Sequence, residues 1–375
     1  EGDGTGKGDG NGNATGGMPA LGGIGTGAAG STGSGNTMTV SRDEACVTDS
    51  ATADAIPAVI QMVVDTSGSM NWAPGENSPP RRGQMSKWQI TSAALKEAVA
   101  DLPSTVALGL NFYPNTQGDD PCIRNRTEVP IALLGETRSR QRIEVSQAID
   151  NADPRGGTPT HAAYRFGAQT VLESNLEGRK FVLLITDGVP TYTLTCGGDG
   201  ENAVNSSPLI EEAGAVTEQG ISTFVIGSPG SEAARSDLSR MASEGGTAAP
   251  GCSDDGPAFC HLDMTEAPDF GAALTAGLGQ IAGQISACEY VIPKAPTGQT
   301  IDLDRVNVIY TKGDGSEQTI PRDPTLTECT TGWQYSADQT QLTLCGAQCE
   351  AVKADPKAKI ELIFGCSTDR GEPPK

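Results

Sequence analysis

The chain has 375 residues, with 47 Asp and Glu against 26 Lys and Arg, a formal net charge of −21. A surface this acidic repels phosphate backbones, which excludes nucleic acid as the expected partner and favours divalent cations or basic surfaces. Only 36% of residues are hydrophobic and 48 are glycine, so a length that suits one large domain plus a smaller one must include segments that build no core.

Residues 1–44, opening "EGDGTGKGDGNGNATGG", hold almost nothing to bury, and glycine carries the largest ordering entropy; they read as a flexible acidic tether. Asp3, Asp9, Asn11 and Asn13 are spaced loosely like a calcium loop, but no repeat or closing acidic ligand follows. Glu1 in place of Met fits a chain whose leader has been removed. A Gly-rich acidic leader before a folded domain resembles the spacer after the lipidated Cys of bacterial surface lipoproteins, a Cys this sequence lacks. That resemblance implies a membrane tether through an N-terminal lipid, since no stretch is long and apolar enough to cross a bilayer.

From residue 56 the texture changes. "IPAVIQMVV" (56–64), "TVALGLNFY" (105–113), "VPIALL" (129–134), "KFVLLIT" (180–186) and "ISTFVIG" (221–227) are short and almost unbroken in apolar character. Such runs suit strands buried on both faces. Helical patterns lie between them: Trp88, Leu95, Val99 and Leu102 share one stripe, as do Phe270, Leu274, Leu278, Ile281 and Ile285. Ser207-Pro208 supplies an N-cap with proline at the first helical position. The alternation predicts an α/β fold, a doubly wound and mostly parallel sheet flanked by helices, over residues 45–288. Residues 258–264 (AFCHLDM) supply the sixth strand by order in the chain rather than by strength of pattern.

Beyond Cys288, "TIDLDRVNVIYTKGDGSEQTI" alternates around the turn Gly313-Asp314-Gly315, a hairpin signal. "GWQYSADQTQLTLC" and "AKIELIFGC" read as further strands. Residues 289–375 therefore predict a small antiparallel β domain pinned by disulfides, because its core is thin. Asp302, Asp304 and Asp314 read as turn carboxylates, a second calcium site being the alternative.

Ten cysteines (46, 122, 196, 252, 260, 288, 329, 345, 349 and 366) contain no C-x-x-C pair, and the chain has two histidines, so disulfides in an oxidising compartment fit better than zinc. Cys122 and Cys196 follow the second and fourth strands, and a bridge between them is expected. Cys252–Cys260 would close a short loop. The other six allow fifteen pairings.

The chemistry gathers where strands end. In open α/β sheets, ligands sit at the carboxyl ends of strands, where strand order reverses. "VVDTSGSM" (63–70) ends the first strand in Asp65, Ser67 and Ser69; "PRGGTPTHAAY" carries Thr158 into a helix; "FVLLITDG" ends the fourth strand in Asp187. Two carboxylates and three hydroxyls, without sulfur or imidazole, make a donor set for a hard cation.

D-x-S-x-S, the threonine of G-G-T-P-T and the aspartate of L-I-T-D-G, in this order over residues 56–288, resemble the metal-ion-dependent adhesion site of von Willebrand factor type A domains, as in integrin I domains. The resemblance implies Mg²⁺, or Ca²⁺ or Mn²⁺, with Ser67 and Ser69 as direct ligands. Thr158 would bind directly or through water, and Asp65 and Asp187 through water or directly. It implies a protein or surface ligand presenting an Asp or Glu carboxylate, and a non-enzymatic, secreted or cell-surface adhesion protein. A structural subunit of a surface assembly, whose contacts ignore the metal site, is the alternative. A third reading, a hydrolase using Ser67 and His161, lacks a GxSxG elbow and a visible general base. His161 reads as a partly exposed first-turn helix residue, and His261 as a strand residue. The loop "NWAPGENSPPRRGQMSKW" (71–88) is long enough to overhang the site, where Trp72, Arg81 and Arg82 could read a partner.

Overall fold

The computed structural model describes residues 49–115, 123–285, 288–293, 301–323, 329–353, 355 and 358–365, all within one unit, residues Val40–Lys375. The leader 1–44 and Cys46, Cys122 and Cys366 lie outside the described residues.

In chain order the elements are β1 (Asp49–Thr52), β2 (Asp54–Ala55), β3 (Ala58–Asp65), α1 (Lys87–Asp101), β4 (Ala107–Tyr113), β5 (Val129–Leu133), α2 (Arg140–Asn151), α3 (Thr160–Leu172), β6 (Arg179–Thr186), α4 (Ser207–Thr217) and β7 (Ile221–Gly227). Then follow α5 (Arg235–Glu244), β8 (Leu262–Asp263), α6 (Phe270–Ile285), β9 (Glu289–Val291), β10 (Val306–Thr311), β11 (Glu317–Ile320), β12 (Trp333–Tyr335), β13 (Gln341–Leu344), α7 (Gly346–Lys353) and β14 (Lys359–Phe364).

The main sheet has six strands in the order β5-β4-β3-β6-β7-β8. All neighbours are parallel except β4 and the edge strand β5, which pair antiparallel. Both faces of β3, β4, β6 and β7 are covered, which explains their unbroken apolar runs, whereas the edge strand β5 is only partly buried and leaves Leu133 exposed. Ile60, Met62 and Val64 of β3 pack with Trp88, Leu95 and Val99 of α1 and with Leu274 and Leu278 of α6. Val63 of the same strand faces the other way, into the core that α3, α4 and α5 build with Tyr164, Leu209 and Met241. The sheet is thus doubly wound, and its order reverses between β3 and β6, where Asp65 and Asp187 end up.

Two helix starts illustrate the local rules. Ser86 caps α1 with a full capping box: Gln89 N–H donates to Ser86 Oγ at 3.2 Å, and Ser86 N–H donates to Gln89 Oε1 at 2.9 Å. By contrast, α4 begins one residue earlier than its Ser-Pro signal suggests. Ser206 is the N-cap, without a side-chain cap bond, so Ser207 and Pro208 both lie inside the first turn. Of the α6 stripe, Phe270, Leu274, Leu278 and Ile281 are buried as expected; the side chain of Ile285 lies outside the described residues.

The C-terminal part forms two four-stranded antiparallel sheets, β1-β14-β10-β11 and β12-β13-β9-β2, around Tyr290, Val308, Tyr310, Trp333, Leu342 and Leu362. The expected hairpin is β10–β11, turning through Gly313-Asp314-Gly315. Disulfides Cys288–Cys349 and Cys329–Cys345 staple the C-terminal sheets, outside this hairpin. Two features depart from the sequence reading. Residues 49–55, counted with the α/β part by a boundary at 45, supply β1 and β2 to these C-terminal sheets. A short helix, α7, brings Cys349 to Cys288. Asp302 and Asp314 each accept a backbone N–H two residues on, as turn carboxylates do.

Candidate metal site

β3 delivers Asp65 fully buried at its carboxyl end. The chain then turns: Ser67 N–H donates to Asp65 Oδ1 at 2.8 Å, and Ser67 leads into a single 3₁₀ turn over Gly68–Asn71. That turn aims both hydroxyls at one place, with Ser67 Oγ 3.0 Å from Ser69 Oγ. Ser69 Oγ donates to Asp187 Oδ1 at 2.9 Å, across 118 positions of sequence. The other oxygen of Asp65, Oδ2, accepts from Thr186 Oγ1 at 2.8 Å. Asp65, Ser67, Ser69 and Asp187 therefore form one continuous polar cluster.

Thr158 arrives on the third loop, and backbone bonds hold that loop in place. Gly68 N–H donates to Gly156 O at 2.9 Å, Arg155 N–H to Thr66 O at 2.8 Å, and Asn71 Nδ2 to Pro154 O at 2.7 Å. Thr158 N–H donates to Thr191 Oγ1 at 2.7 Å, and Thr191 N–H returns to Thr158 O at 3.0 Å, which joins it to the segment after Asp187. Gly156, at φ +78°, makes the bend that sets this loop against Gly68.

Burial and the neighbouring Asp187 carboxylate push the Asp65 carboxyl up to about 7, against the pull of hydrogen bonds from Ser67 and Thr186. Two acids this close and this dry call for positive charge. Part of it comes from Lys87, the first residue of α1, whose ammonium pairs with Asp187 Oδ2. Lys87 occupies one oxygen of Asp187 and Ser69 Oγ the other, and the hydroxyl-rich donors around that second oxygen fit a hard divalent ion. Among the described residues no three His, Cys, Asp or Glu side chains gather as a metal cluster, so any ion here would rely on serine and threonine oxygens.

The remaining sequence candidates fall elsewhere. Ser67 Oγ pairs with Ser69 Oγ, while His161 is buried rather than partly exposed. Its Nε2 faces Glu212 Oε2 at 3.6 Å, beside a cleft of about 590 Å³ between α3, α4 and residues 190–195. Burial lowers the His161 pKa. The serine–histidine pairing is not formed. His261 precedes β8 and is buried with neither ring nitrogen hydrogen-bonded. Trp72 is half-buried, 5.8 Å from Lys87 Nζ, whereas Arg81 and Arg82 are exposed, Arg81 within 3.5 Å of Glu76. Cys252 pairs with Cys260, and Cys196 is disulfide-bonded. Sequence reasoning missed Lys87 and Thr186. A lysine at the first position of a helix, against the helix dipole, was the one available signal.

Solved structures resemble this chain at low identity. The PilB minor pilin from Streptococcus sanguinis is 17% identical with a TM-score of 0.44, covering 62% of this chain and 62% of its own. The pilus adhesin SpaC from Lactobacillus rhamnosus GG, in an open conformation, is 16% identical with a TM-score of 0.46, over 84% of this chain and 39% of that one. The vWF domain of the type V pili tip protein Mfa5 from Porphyromonas gingivalis is 14% identical with a TM-score of 0.41, over 62% and 96%. The chain thus spans less than two thirds of PilB. No curated protein matches it in sequence. The model of the von Willebrand factor type A domain matches residues 60–254, just over half the chain, and these residues include all five oxygen-bearing side chains. The chain belongs to the von Willebrand factor type A domain family.

Proposed function

We propose that the chain is a non-enzymatic binding protein, secreted or on a cell surface, that engages a partner's Asp or Glu carboxylate through a divalent cation held by Asp65, Ser67, Ser69, Thr158 and Asp187. The supporting observation is the polar cluster at the switch point of the sheet, where hydroxyls of Ser67 and Ser69 meet the carboxylate of Asp187. A divalent ion bound there would supply a Lewis-acidic centre with an exchangeable position for an outside acid group. Ser67, Ser69 and Thr158 contribute neutral oxygens, so they neutralise little of the charge such an acid would meet. Asp65 is braced from both sides by Ser67 N–H and Thr186 Oγ1 and anchors the loop. The preferred ion is Mg²⁺, with Ca²⁺ or Mn²⁺ as substitutes.

The wider setting is part of the same reading: a tether over residues 1–44, an α/β binding domain, and a disulfide-braced β unit, with a lipid anchor ahead of Glu1. Among the described residues no helix is long and apolar enough to cross a membrane. The experiment is surface or partner binding with and without EDTA, and in Asp65→Ala. Binding should disappear in both cases. Undiminished binding would leave the alternative, an assembly subunit whose contacts do not involve the site.

A further inference from the structure

Lys87 is not among the proposed ligands, yet its placement is elaborate. It opens α1, where the helix dipole opposes a cation, and it is only 2% exposed. Its Nζ meets Asp187 Oδ2, and the Trp72 ring lies 5.8 Å away. Gly230 leaves the room: a Cβ there would come within 2.8 Å of Nζ and 2.7 Å of Asp187 O. Backbone bonds tie the pieces together, from Trp72 N–H to Ser69 O at 2.9 Å and from Lys87 N–H to Trp72 O at 2.8 Å. The ammonium is therefore registered to the loop that carries the serine hydroxyls. A buried ammonium is costly unless paired, and Asp187 supplies the pairing charge here.

The charge balance gives it a role. Asp65, Asp187 and Lys87 sum to one formal negative charge; a doubly charged ion turns that into one positive charge. Without Lys87 the loaded site would be neutral. Resting on the metal reading above, we infer that Lys87 sets the specificity of the site. It is a fixed internal cation that weakens divalent-ion binding and keeps the loaded site positive, so that an anionic carboxylate is preferred as the outside ligand. The two effects have opposite signs, and a purely structural lysine would not produce that pattern.

The test compares the full chain with Lys87→Gln and Lys87→Met, each checked for folding by circular dichroism in EDTA. Mn²⁺ affinity is read by electron paramagnetic resonance, and acetate binding to the Mn²⁺-loaded protein by water-proton relaxation. Removing a unit charge at such short range should tighten Mn²⁺ roughly tenfold or more and weaken acetate by a similar factor. Mn²⁺ bound by the variants but not by the wild type would also support the inference. Mn²⁺ affinity unchanged, or weakened together with acetate, would overturn it while leaving the metal reading intact. No Mn²⁺ binding by any of the three proteins would overturn the metal reading, and this inference with it.

Discussion

The hydroxyl of Thr186 donates to Oδ2 of Asp65 at 2.8 Å, inside a region where both residues are fully buried. Thr186 is the last residue of β6 and Asp65 the last of β3, so one bond locks the ends of the two strands between which the sheet reverses. Replacing Thr186 with Val keeps the shape and removes the donor. The stranded carboxylate oxygen should cost about 1–3 kcal/mol of stability. Mg²⁺ affinity should fall as well, because Asp65 loses one of its two braces. Urea denaturation and metal titration of Thr186→Val read the two effects separately.

Without metal, the Asp65 carboxyl stands near 7, raised chiefly by burial and then by Asp187. An ion that uses Asp65 must displace its proton below that pH. Divalent-ion affinity should therefore be flat above about pH 8 and fall toward tenfold per unit below pH 7, with proton release on binding. The stability of the metal-free protein should run the other way. Its folded state holds the proton more tightly than the unfolded chain, whose Asp titrates near 3.8, so stability drops as pH rises between those values. Calorimetric titrations in buffers of different ionisation enthalpy, from pH 5.5 to 8.5, measure the protons released.

The parts of this molecule that could be read from sequence are those fixed by local chemistry. The apolar runs now seen as β3, β4, β6 and β7 needed no partner to be recognised, since burial on both faces makes them nearly uniform. Asp65, Ser67 and Ser69 sit within five residues, so the turn that gathers their oxygens is written locally. Lys87 was not legible because its meaning lies in Asp187, one hundred positions away. The burial of His161 depends on how α3 and α4 close over it, which no periodicity reports. β1 and β2 are too short to announce themselves, and only pairing with β14 and β9 makes them strands.

His261 gives a second pH dependence with a separate origin. It packs against Gly227, where a Cβ would lie 2.9 Å from Nε2, and Asp263 and Arg235 are the charges that act on it. Burial, the largest effect, holds its pKa down at about 4, below the ordinary 6.5. The unfolded chain takes up a proton first as pH falls through that window, so this residue's contribution to stability is lost between pH 6.5 and 4. The loss should reach at most about 3 kcal/mol. His261→Gln should flatten this limb relative to wild type when urea midpoints are compared at pH 4.5 and 7. Measuring both proteins in EDTA lets the opposing contribution of Asp65 cancel in the difference.

Asp187 and Lys87 are each other's charge partner in a dry environment, with side chains 0% and 3% exposed. Removing one partner of such a pair strands the other, which costs about 3–5 kcal/mol, far more than the pair contributes relative to apolar replacements. Asp187→Ala should therefore destabilise the metal-free protein more than Ser67→Ala, although both delete a proposed ligand. Lys87→Met in the Asp187→Ala background should recover most of the loss, because no buried ammonium then remains. A double-mutant cycle by chemical denaturation in EDTA measures the coupling directly, and it should exceed 1 kcal/mol, as expected for contacting buried charges. Additive effects would mean that the ammonium escapes to solvent when Asp187 is gone, and that the pairing is a convenience of the folded loop rather than a constraint on it.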